Sequence, residues 1–291
     1  MIDRPGVTRW VTLSLLSLAC VAGLVACNDG GADHRLRGFV RSGNAGGLAG
    51  YNVSLYASFV DRTDGWQPGR PGVELRHMQA TAAPDRAAVP VVIVRLDPAQ
   101  VRLRVAYAPD RPLGLRGWFE ERRPLAALNG SFFTPKNQAT ALLVSDGSAS
   151  GASYAGFGGM LSVAPDGGVS LHALRDQPYD PAEPIEQALQ SFPMLVFPGG
   201  APAAIEDDGR RARRSAVALD RAGRLLLLVS PTSDFTLRGL ADWLSQSDLD
   251  VERALNLDGG SSTGLYLSDG GLQEAIDSFG PLPIVLLVEA K

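Results

Sequence analysis

Cysteine is scarce in this sequence. The chain has 2 cysteines, Cys20 and Cys27, and both stand near the N-terminus. The rest of the sequence therefore offers neither a disulfide nor a thiol nucleophile. Stability must come from a hydrophobic core instead, and a hydrophobic content of 45% over 291 residues is ample for one.

Histidine is equally scarce. The 3 histidines, His34, His77 and His172, are scattered and lack the spacing of metal ligands. This pattern argues against a histidine-based zinc site and against a Ser-His-Asp triad. We interpret each histidine as a surface or packed side chain.

An excess of basic residues is also missing. The formal net charge is -4 at pH 7, from 27 Lys and Arg against 31 Asp and Glu. Residues 1–26 carry Asp3, Arg4 and Arg9, a net +1, so their removal would leave a charge near -5. This balance argues against nucleic acid as a partner.

The N-terminus has the pattern of an export signal. Arg4 and Arg9 precede an apolar stretch at residues 11–26, which is shorter than the roughly 20 residues that a membrane-spanning helix needs. Residues 24–27, Leu-Val-Ala-Cys, resemble the lipobox of bacterial lipoproteins. The resemblance implies cleavage before Cys27 and lipid attachment to it, hence an exported protein anchored to a bacterial membrane. The alternative is an ordinary secretory signal that happens to contain a cysteine.

The remaining sequence divides into a tether and a domain. Residues 27–50 are polar and glycine-rich, as expected of a flexible leader. Residues 51–291 contain many short apolar runs separated by turn residues, and we predict a single domain here, although the length also fits two smaller ones. With 33 glycines, 20 prolines and few helical patterns, the predicted fold class is α+β, with mixed or antiparallel sheets and a few flanking helices.

Local patterns predict individual elements. Three hairpins are predicted, and the Pro-Asp-Gly-Gly turn at residues 165–168 is the strongest signal among them. Thr236 is predicted to cap a helix whose apolar residues follow at helical spacing. The predicted hairpins pair residues 91–96 with 101–107, 160–164 with 169–174, and 215–219 with 225–230. Further strands are predicted at residues 53–60, 124–128, 141–145, 194–197, 251–257 and 283–288.

The most informative segment is RALNLDGGSSTG, at residues 253–264. An apolar strand leads into a loop where Asn256 and Asp258, two residues apart, would point to the same face. Gly259 and Gly260 would let a ligand approach the main chain closely. A hairpin tip is the alternative interpretation, since Asp-Gly-Gly is common in tight turns. Two polar groups on one face favour a functional site.

Other candidates have an alternative structural interpretation. Arg214 ends the basic run at residues 210–214, which could be a solvated loop, but it stands directly before an apolar strand. Asn129 precedes a glycine and could be a turn residue. Phe132 and Phe133, which follow, are interpreted as core residues rather than sugar platforms.

The order of these motifs resembles the phosphodiester glycosidase family over residues 90–288. The resemblance rests on four blocks: NGSFF at 129–133, DG at 146–147, RSAVA at 214–218 and NLDGGSST at 256–263. The sequence departs from the family pattern at two places. Many members have a third glycine where Ser261 stands, and a small aliphatic residue followed by glycine where Ala218-Leu219 stands. Both departures could reshape the pocket.

The resemblance implies hydrolysis of a sugar-1-phosphodiester, with a glycan of this kind as the partner. Such chemistry needs a carboxylate near the anomeric carbon and a cation for the phosphate. Asp258 is the candidate nucleophile or base, and Arg214 is the candidate phosphate clamp. Asn129 and Asn256 would orient sugar hydroxyls or the reacting water. Further donors to the phosphate would come from Gly259, Gly260 and Ser262.

No cofactor is predicted. Asp and Asn oxygens near a glycine loop could hold Ca²⁺, but calcium-loop spacing is missing and no metal site is expected. Two alternative functions stay open. One is a noncatalytic carbohydrate-binding or envelope-assembly lipoprotein on the same fold. The weaker alternative is a serine hydrolase that uses Ser261 or Ser262.

Overall fold

The computed structural model describes residues 65–82 and 87–291, and strands dominate this part of the chain. Its two α-helices are α1 (Leu115–Arg122) and α2 (Leu237–Gln246). The strands, in chain order, are β1 (Gln67–Pro68), β2 (Val73–Ala80), β3 (Val89–Leu96), β4 (Val101–Tyr107), β5 (Ala126–Asn129), β6 (Leu143–Ser145), β7 (Ser148–Ser150), β8 (Gly159–Val163), β9 (Val169–Ala173), β10 (Gln187–Ser191), β11 (Met194–Phe197), β12 (Ala201–Pro202), β13 (Ala212–Asp220), β14 (Leu225–Phe235), β15 (Val251–Asn256), β16 (Leu265–Asp269), β17 (Leu272–Ile276) and β18 (Ile284–Ala290).

The strands form three sheets. The largest has eight strands in the order β1-β2-β3-β14-β13-β15-β11-β12, and two five-stranded sheets have the orders β7-β6-β10-β8-β9 and β17-β16-β5-β18-β4. All strand pairs in the described residues are antiparallel. The fold is therefore mostly β, with fewer helices than the predicted α+β class suggests, and its sheets are antiparallel rather than mixed.

The sheets enclose a central core. One face of the eight-stranded sheet supplies residues such as Val217, Leu255 and Leu257, and they pack against residues from both five-stranded sheets, such as Leu128 and Leu161. Helix α2 covers the opposite face of the large sheet, and α1 covers the outer face of the β5-containing sheet. Each sheet thus has an apolar face to bury, and a layered arrangement buries it.

Local chemistry explains most of the elements. The hairpin of β8 and β9 closes through a turn in which Gly167 has φ of 88°, a conformation that glycine adopts without strain. Strands β13 and β14 pair as predicted, and both extend beyond the predicted residues 215–219 and 225–230. Helix α2 begins as expected, because the Thr236 side chain accepts a hydrogen bond from the backbone N–H of Gly239.

One predicted hairpin is wrong. The strands β3 and β4 do not pair with each other: β3 lies between β2 and β14 in the large sheet, whereas β4 pairs with β18 in a five-stranded sheet. The turn at residues 97–100 does form, with the N–H of Gln100 donating to the carbonyl of Asp97. It carries the chain from one sheet to another instead of reversing it within a sheet.

Eight elements of the structure were not predicted from the sequence, namely β1, β2, β7, β10, β12, β16, β17 and α1. The predicted strand at residues 53–60 lies outside the described residues, as do the predicted signal at 1–26, the lipidation site Cys27 and the tether at 27–50.

Candidate active site

Three consecutive strands of the large sheet bring the candidate residues to one edge. Strand β15 ends at Asn256, and its neighbours β13 and β11 run antiparallel to it on either side. Ala216 of β13 is opposite Asn256, and the N–H of Leu257 donates to the carbonyl of Ser215. The register therefore places Arg214, near the start of β13, beside Asp258.

Asp258 is held as a partly buried carboxylate. Its Oδ1 accepts a hydrogen bond of 2.9 Å from the N–H of Gly259, and its own N–H donates to the carbonyl of Gly130. Burial raises the pKa of Asp258 to about 6, although hydrogen bonds from the Ser262 hydroxyl and from Gly259 act in the opposite direction. With this pKa the carboxyl group is mostly ionised at neutral pH, the form in which a carboxylate acts as a base or a nucleophile.

The glycine loop after Asp258 is a single 3₁₀ turn, Gly260–Ser262. Gly260 has φ of 61°, and a Cβ on Gly259 would lie 2.9 Å from the carbonyl oxygen of Arg213, so both positions suit glycine. The Gly259 N–H is already bonded to Asp258, and Ser262 lies against the same carboxylate. Their predicted role as phosphate donors stays a prediction.

Asn129 lies at the end of β5, fully buried beneath this loop. Its Nδ2 donates to the carbonyl of Asp258 at 2.7 Å, and its Oδ1 accepts from the Ser215 hydroxyl at 2.7 Å and from the N–H of Gly264 at 3.1 Å. These contacts hold the loop in place. The predicted contact of Asn129 with sugar or water stays a prediction, and the amide is already engaged by protein groups.

Asn256 has one engaged and one available polar atom. Its Nδ2 donates to the carbonyl of Phe192 at 2.8 Å, and its backbone N–H donates to that of Pro193. Within the described residues, its buried Oδ1 accepts no hydrogen bond. A buried acceptor of this kind is costly unless something donates to it, so Oδ1 is suited to a substrate hydroxyl or a water.

Arg214 lies on the other side of Asp258. Its Nε donates to the carbonyl of Phe235 at 3.1 Å and its Nη2 to that of Arg210 at 2.8 Å. A Cβ on Gly259 would lie 4.0 Å from its Nη1, so the guanidinium is next to the glycine loop. Burial lowers the pKa of Arg214, while the charge of Asp208 raises it. Among residues 65–82 and 87–291, no ion pair joins Arg214 or Asp258 to a partner, which leaves both charges available to a ligand.

The basic run containing Arg214 is split by the fold. Arg210 is exposed in the loop, whereas Arg213 is buried within β13 and donates to the carbonyls of Pro231 and Asp277. The ring of Phe279 stacks on the Arg213 guanidinium, with 4.1 Å between the ring centroid and Cζ. The arginines of this run therefore have different surroundings: Arg210 is solvated, whereas Arg213 and Arg214 are held by backbone carbonyls.

The region that contains the candidate site matches a known protein family. Residues 122–288 match the profile of the family described as phosphodiester glycosidase. The chain belongs to this family. The matched region contains β5, β13 and β15 with all the candidate residues of the domain.

Solved structures of other proteins have a similar fold. The catalytic domain of zebrafish N-acetylglucosamine-1-phosphodiester alpha-N-acetylglucosaminidase, auto-inhibited by its pro-peptide, superimposes with a TM-score of 0.59 and 19% identity over 77% of this chain and 86% of that one. A hypothetical protein from Synechocystis gives 0.53 and 17%, over 76% and 62%. A protein of Burkholderia pseudomallei K96243, described as exported, gives 0.53 and 14%, over 74% and 76%. No curated protein matches the sequence significantly.

Two further observations on the described residues concern metals and membranes. Across the described ranges, His, Cys, Asp and Glu side chains do not gather in groups of three or more that could hold a metal ion. The expectation of no cofactor stays a prediction. Of the helices in the part of the chain that the structure describes, none is both long and apolar enough to cross a membrane.

Three residues at this site were not predicted from the sequence. Arg213 and Ser215 flank Arg214 on β13, and strand alternation could have assigned them to the face of the sheet opposite Arg214. Phe192 had no periodic signal, since it stands in the short connection between β10 and β11. Phe132 and Phe133 were both interpreted as core residues, but their surroundings differ. Phe133 packs against the core, whereas Phe132 stacks on Phe192 at a centroid distance of 4.7 Å.

Proposed function

We propose that this protein hydrolyses sugar-1-phosphodiesters, cleaving the bond between the anomeric carbon and the phosphate oxygen. Water supplies the hydroxyl group of the released sugar, and its remaining proton balances the phosphomonoester that leaves. The observation that carries the proposal is that the register of β13 and β15 brings Arg214 beside Asp258 and its glycine loop.

Asp258 is the reactive carboxylate in this proposal. In its ionised form it either attacks the anomeric carbon or takes a proton from the attacking water. No acidic neighbour contributes to its raised pKa, so a second carboxylate does not share its proton. The phosphomonoester that departs is a good leaving group, so its departure asks little of a general acid.

Arg214 is the phosphate ligand. Two of its donors are fixed by the carbonyls of Phe235 and Arg210, and they hold the guanidinium beside Gly259, where it forms no ion pair with an acidic side chain of the described residues. A cation held in this way is preorganised for the charge that grows on the departing phosphate. Asn256 Oδ1 is placed to accept a hydrogen bond from a sugar hydroxyl or from the reacting water.

The cellular location of the enzyme is proposed from the sequence. The apolar segment at residues 11–26 and the lipobox-like ending at Cys27 favour export and lipid anchoring to a bacterial membrane. The substrate would then be a glycan of the cell envelope or of the surroundings. Labelling with a radioactive or alkyne fatty acid tests the anchor, because Cys27→Ala should abolish the label.

Turnover of a defined substrate tests the activity. The purified full-length protein is incubated with a panel of sugar-1-phosphodiesters, including N-acetylglucosamine-1-phospho-methyl-mannoside, and free sugar is measured. We expect turnover in the wild type and in Arg210→Ala, whose side chain is exposed. Asp258→Asn and Arg214→Ala should abolish or strongly reduce it.

Two results would contradict the proposal. Full activity of Asp258→Asn would remove Asp258 from the reaction. Failure of the folded wild type to turn over any member of the panel, while it binds the same glycans, would favour a noncatalytic carbohydrate-binding lipoprotein. If the wild type is active, the anomeric configuration of the fresh product, read by NMR, separates the two roles of Asp258: retention indicates a nucleophile and inversion a base.

A further inference from the structure

Four aromatic side chains gather at the same sheet edge as Asp258, and the reaction proposed above does not use them. Phe132 and Phe192 stack at a centroid distance of 4.7 Å, and Tyr154 and Phe157 stack at 4.6 Å. The two pairs meet edge to face, with Phe192 at 5.8 Å from Tyr154 and 6.1 Å from Phe157. We call these four rings the aromatic platform.

The platform is open to solvent. Phe157 is 51% exposed and Phe192 is 40% exposed, and Phe132 and Tyr154 are partly exposed. Of the large hydrophobic side chains in the described residues, Phe279, which stacks on Arg213, is exposed as well. Contiguous exposed rings mark a surface that binds something. Because these rings adjoin polar groups of the candidate site, the surface has the composition of a small-ligand subsite.

The platform is attached directly to the site. The carbonyl of Phe192 accepts the hydrogen bond from Asn256 Nδ2 at 2.8 Å. Phe132 follows Gly130 by two residues, and the carbonyl of Gly130 accepts the hydrogen bond from the N–H of Asp258. The Phe132–Phe192 pair of the platform is therefore attached to the segments that hold the reactive carboxylate.

The loop that presents Tyr154 and Phe157 is preorganised. Buried Gln190 accepts a 2.9 Å hydrogen bond from the N–H of Tyr154 and donates one of 2.9 Å to the Ser153 hydroxyl. Gly158 has φ of 75°, and a Cβ there would lie 2.5 Å from the carbonyl oxygen of Ser191. The loop can approach β10 this closely only because residue 158 has no side chain.

Hydroxyl groups border the rings. The Thr140 hydroxyl donates to the carbonyl of Phe132 at 3.0 Å, so it accepts from the Tyr154 hydroxyl at 3.1 Å. Burial raises the pKa of Tyr154, and its phenol therefore stays neutral. Rings with a rim of hydroxyl and amide groups complement a pyranose, which has apolar C–H faces and polar edges.

The order of the strands assigns the platform its position relative to the scissile bond. Across the sheet edge the order is Arg214 on β13, Asp258 after β15 and Phe192 before β11. Adjacent strands are about 4.8 Å apart, so the three groups lie in a row roughly 10 Å long. A phosphate at Arg214 and an anomeric carbon at Asp258 leave the sugar ring on the Phe192 side.

We propose that the aromatic platform, Phe132, Tyr154, Phe157 and Phe192, is the glycosyl subsite and stacks on the apolar face of the sugar ring whose anomeric carbon is attacked. The inference rests on the proposed function for the identity of the substrate. It adds that the enzyme recognises the sugar ring itself, independently of the phosphate.

Binding in an inactive background tests the subsite without turnover. The full-length Asp258→Asn protein is titrated with methyl N-acetyl-α-glucosaminide, which lacks the phosphate, and with the corresponding 1-phosphodiester, by calorimetry and by saturation-transfer NMR. Into this background we introduce Phe157→Tyr, which keeps the ring, and Phe157→Leu and Phe157→Ala, which remove it. Because Phe157 is exposed, these changes leave the core intact.

We expect Phe157→Tyr to bind the methyl glycoside within about twofold of the parent, and Phe157→Leu and Phe157→Ala to bind it about fivefold to tenfold more weakly. Equal binding by the Tyr and Leu variants would overturn the proposal, since apolar contact alone would then suffice. Failure of the parent to bind the glycoside at all would overturn it as well.

These outcomes are separable from those of the hydrolase proposal. A wild type that turns over its substrate while Phe157→Leu keeps both KM and glycoside affinity would leave the hydrolase intact and remove the platform. A wild type without turnover, in which Phe157→Leu still weakens glycoside binding, would do the opposite. If the rings instead bind a protein partner or a lipid, the methyl glycoside will fail to displace that ligand. This result would also overturn the assignment.

Discussion

The side-chain amide of Asn129 donates a 2.7 Å hydrogen bond to the backbone carbonyl of Asp258. Asn129 ends a strand of a five-stranded sheet, whereas Asp258 follows a strand of the eight-stranded sheet. One buried amide thus joins two sheets at the point where the reactive carboxylate is presented. Geometry at the site and stability of the fold are coupled through it.

Removal of this amide should destabilise the whole domain. Asn129→Ala leaves the Ser215 hydroxyl, the Gly264 N–H and the Asp258 carbonyl without their partner, and we expect a loss of about 2–4 kcal/mol in the free energy of unfolding. Ser215→Ala removes one of these bonds and should cost about 1 kcal/mol. Urea unfolding at 25 °C measures both.

The control for these variants is Gln177→Ala, at an exposed position, which should change stability by less than about 0.5 kcal/mol. A cost for Asn129→Ala no larger than that of Ser215→Ala would show that the amide does not join the two sheets energetically.

The pH dependence of activity should follow Asp258. Because the ionised carboxylate is the reactive form and its pKa is about 6, kcat/KM should rise with pH through about 6 and reach a plateau above it. Ser262→Ala removes a hydrogen bond that lowers this pKa, so the midpoint of the rise should move to higher pH. Initial rates between pH 4.5 and 8.5 give the profile. An unmoved midpoint in Ser262→Ala would assign the rise to another group.

Local turn chemistry explains what the sequence could predict. The hairpins β8–β9 and β13–β14 close through short Gly-containing turns, so each can be recognised within its own residues. The pattern at Asp269-Gly270-Gly271, between β16 and β17, is of the same kind and could have been recognised too. Helix α1 lacked a signal because its N-cap is Gly114, which offers no side-chain cap.

Pairing between distant segments explains what it could not. The sequence 97–100 is a good turn, but nothing within it specifies whether β3 and β4 pair with each other or with β14 and β18. At the site, the Asn256 and Asp258 motif is local and was recognised. The contact of Asn129 with Asp258 spans 129 residues, and the Phe192 contact spans 64, so neither leaves a local pattern.

Asp258 should make folding stability depend on pH in an unusual direction. Its folded-state pKa of about 6 exceeds the ordinary value of 3.8, so the folded state binds the proton more tightly and loses stability as pH rises from about 4 to above 6. Asp258→Asn lacks this titration. Its stability relative to the wild type should grow over that window, by about 2–3 kcal/mol for a shift of about two units, and stay constant above pH 7.

Denaturant unfolding at pH 4.5, 5.5, 7 and 8 measures this difference. Asp146→Asn is the matched control, because the hydrogen bond from Gln187, followed by that from Arg104, lowers the pKa of Asp146. Because the titration of Asp146 in both the folded and the unfolded state lies at or below its ordinary value of 3.8, the difference between Asp146→Asn and the wild type should stay nearly constant over this range. If the stability difference between Asp258→Asn and the wild type does not vary with pH, then burial does not raise the pKa of Asp258 in the folded protein.

Arg214 should act on the phosphate and not on the sugar. Arg214→Ala is expected to raise the inhibition constant of the phosphomonoester product at least about tenfold, and Arg214→Lys should recover only part of the affinity, because an ammonium cannot reproduce the planar guanidinium fork. Arg210→Ala is the control, since it keeps the carbonyl that anchors Arg214 Nη2 and removes only an exposed side chain. Glycoside binding, which lacks the phosphate, should be unchanged in all three. Equal inhibition of the Arg214→Ala and Arg210→Ala proteins by phosphomonoester would place the phosphate elsewhere along the sheet edge.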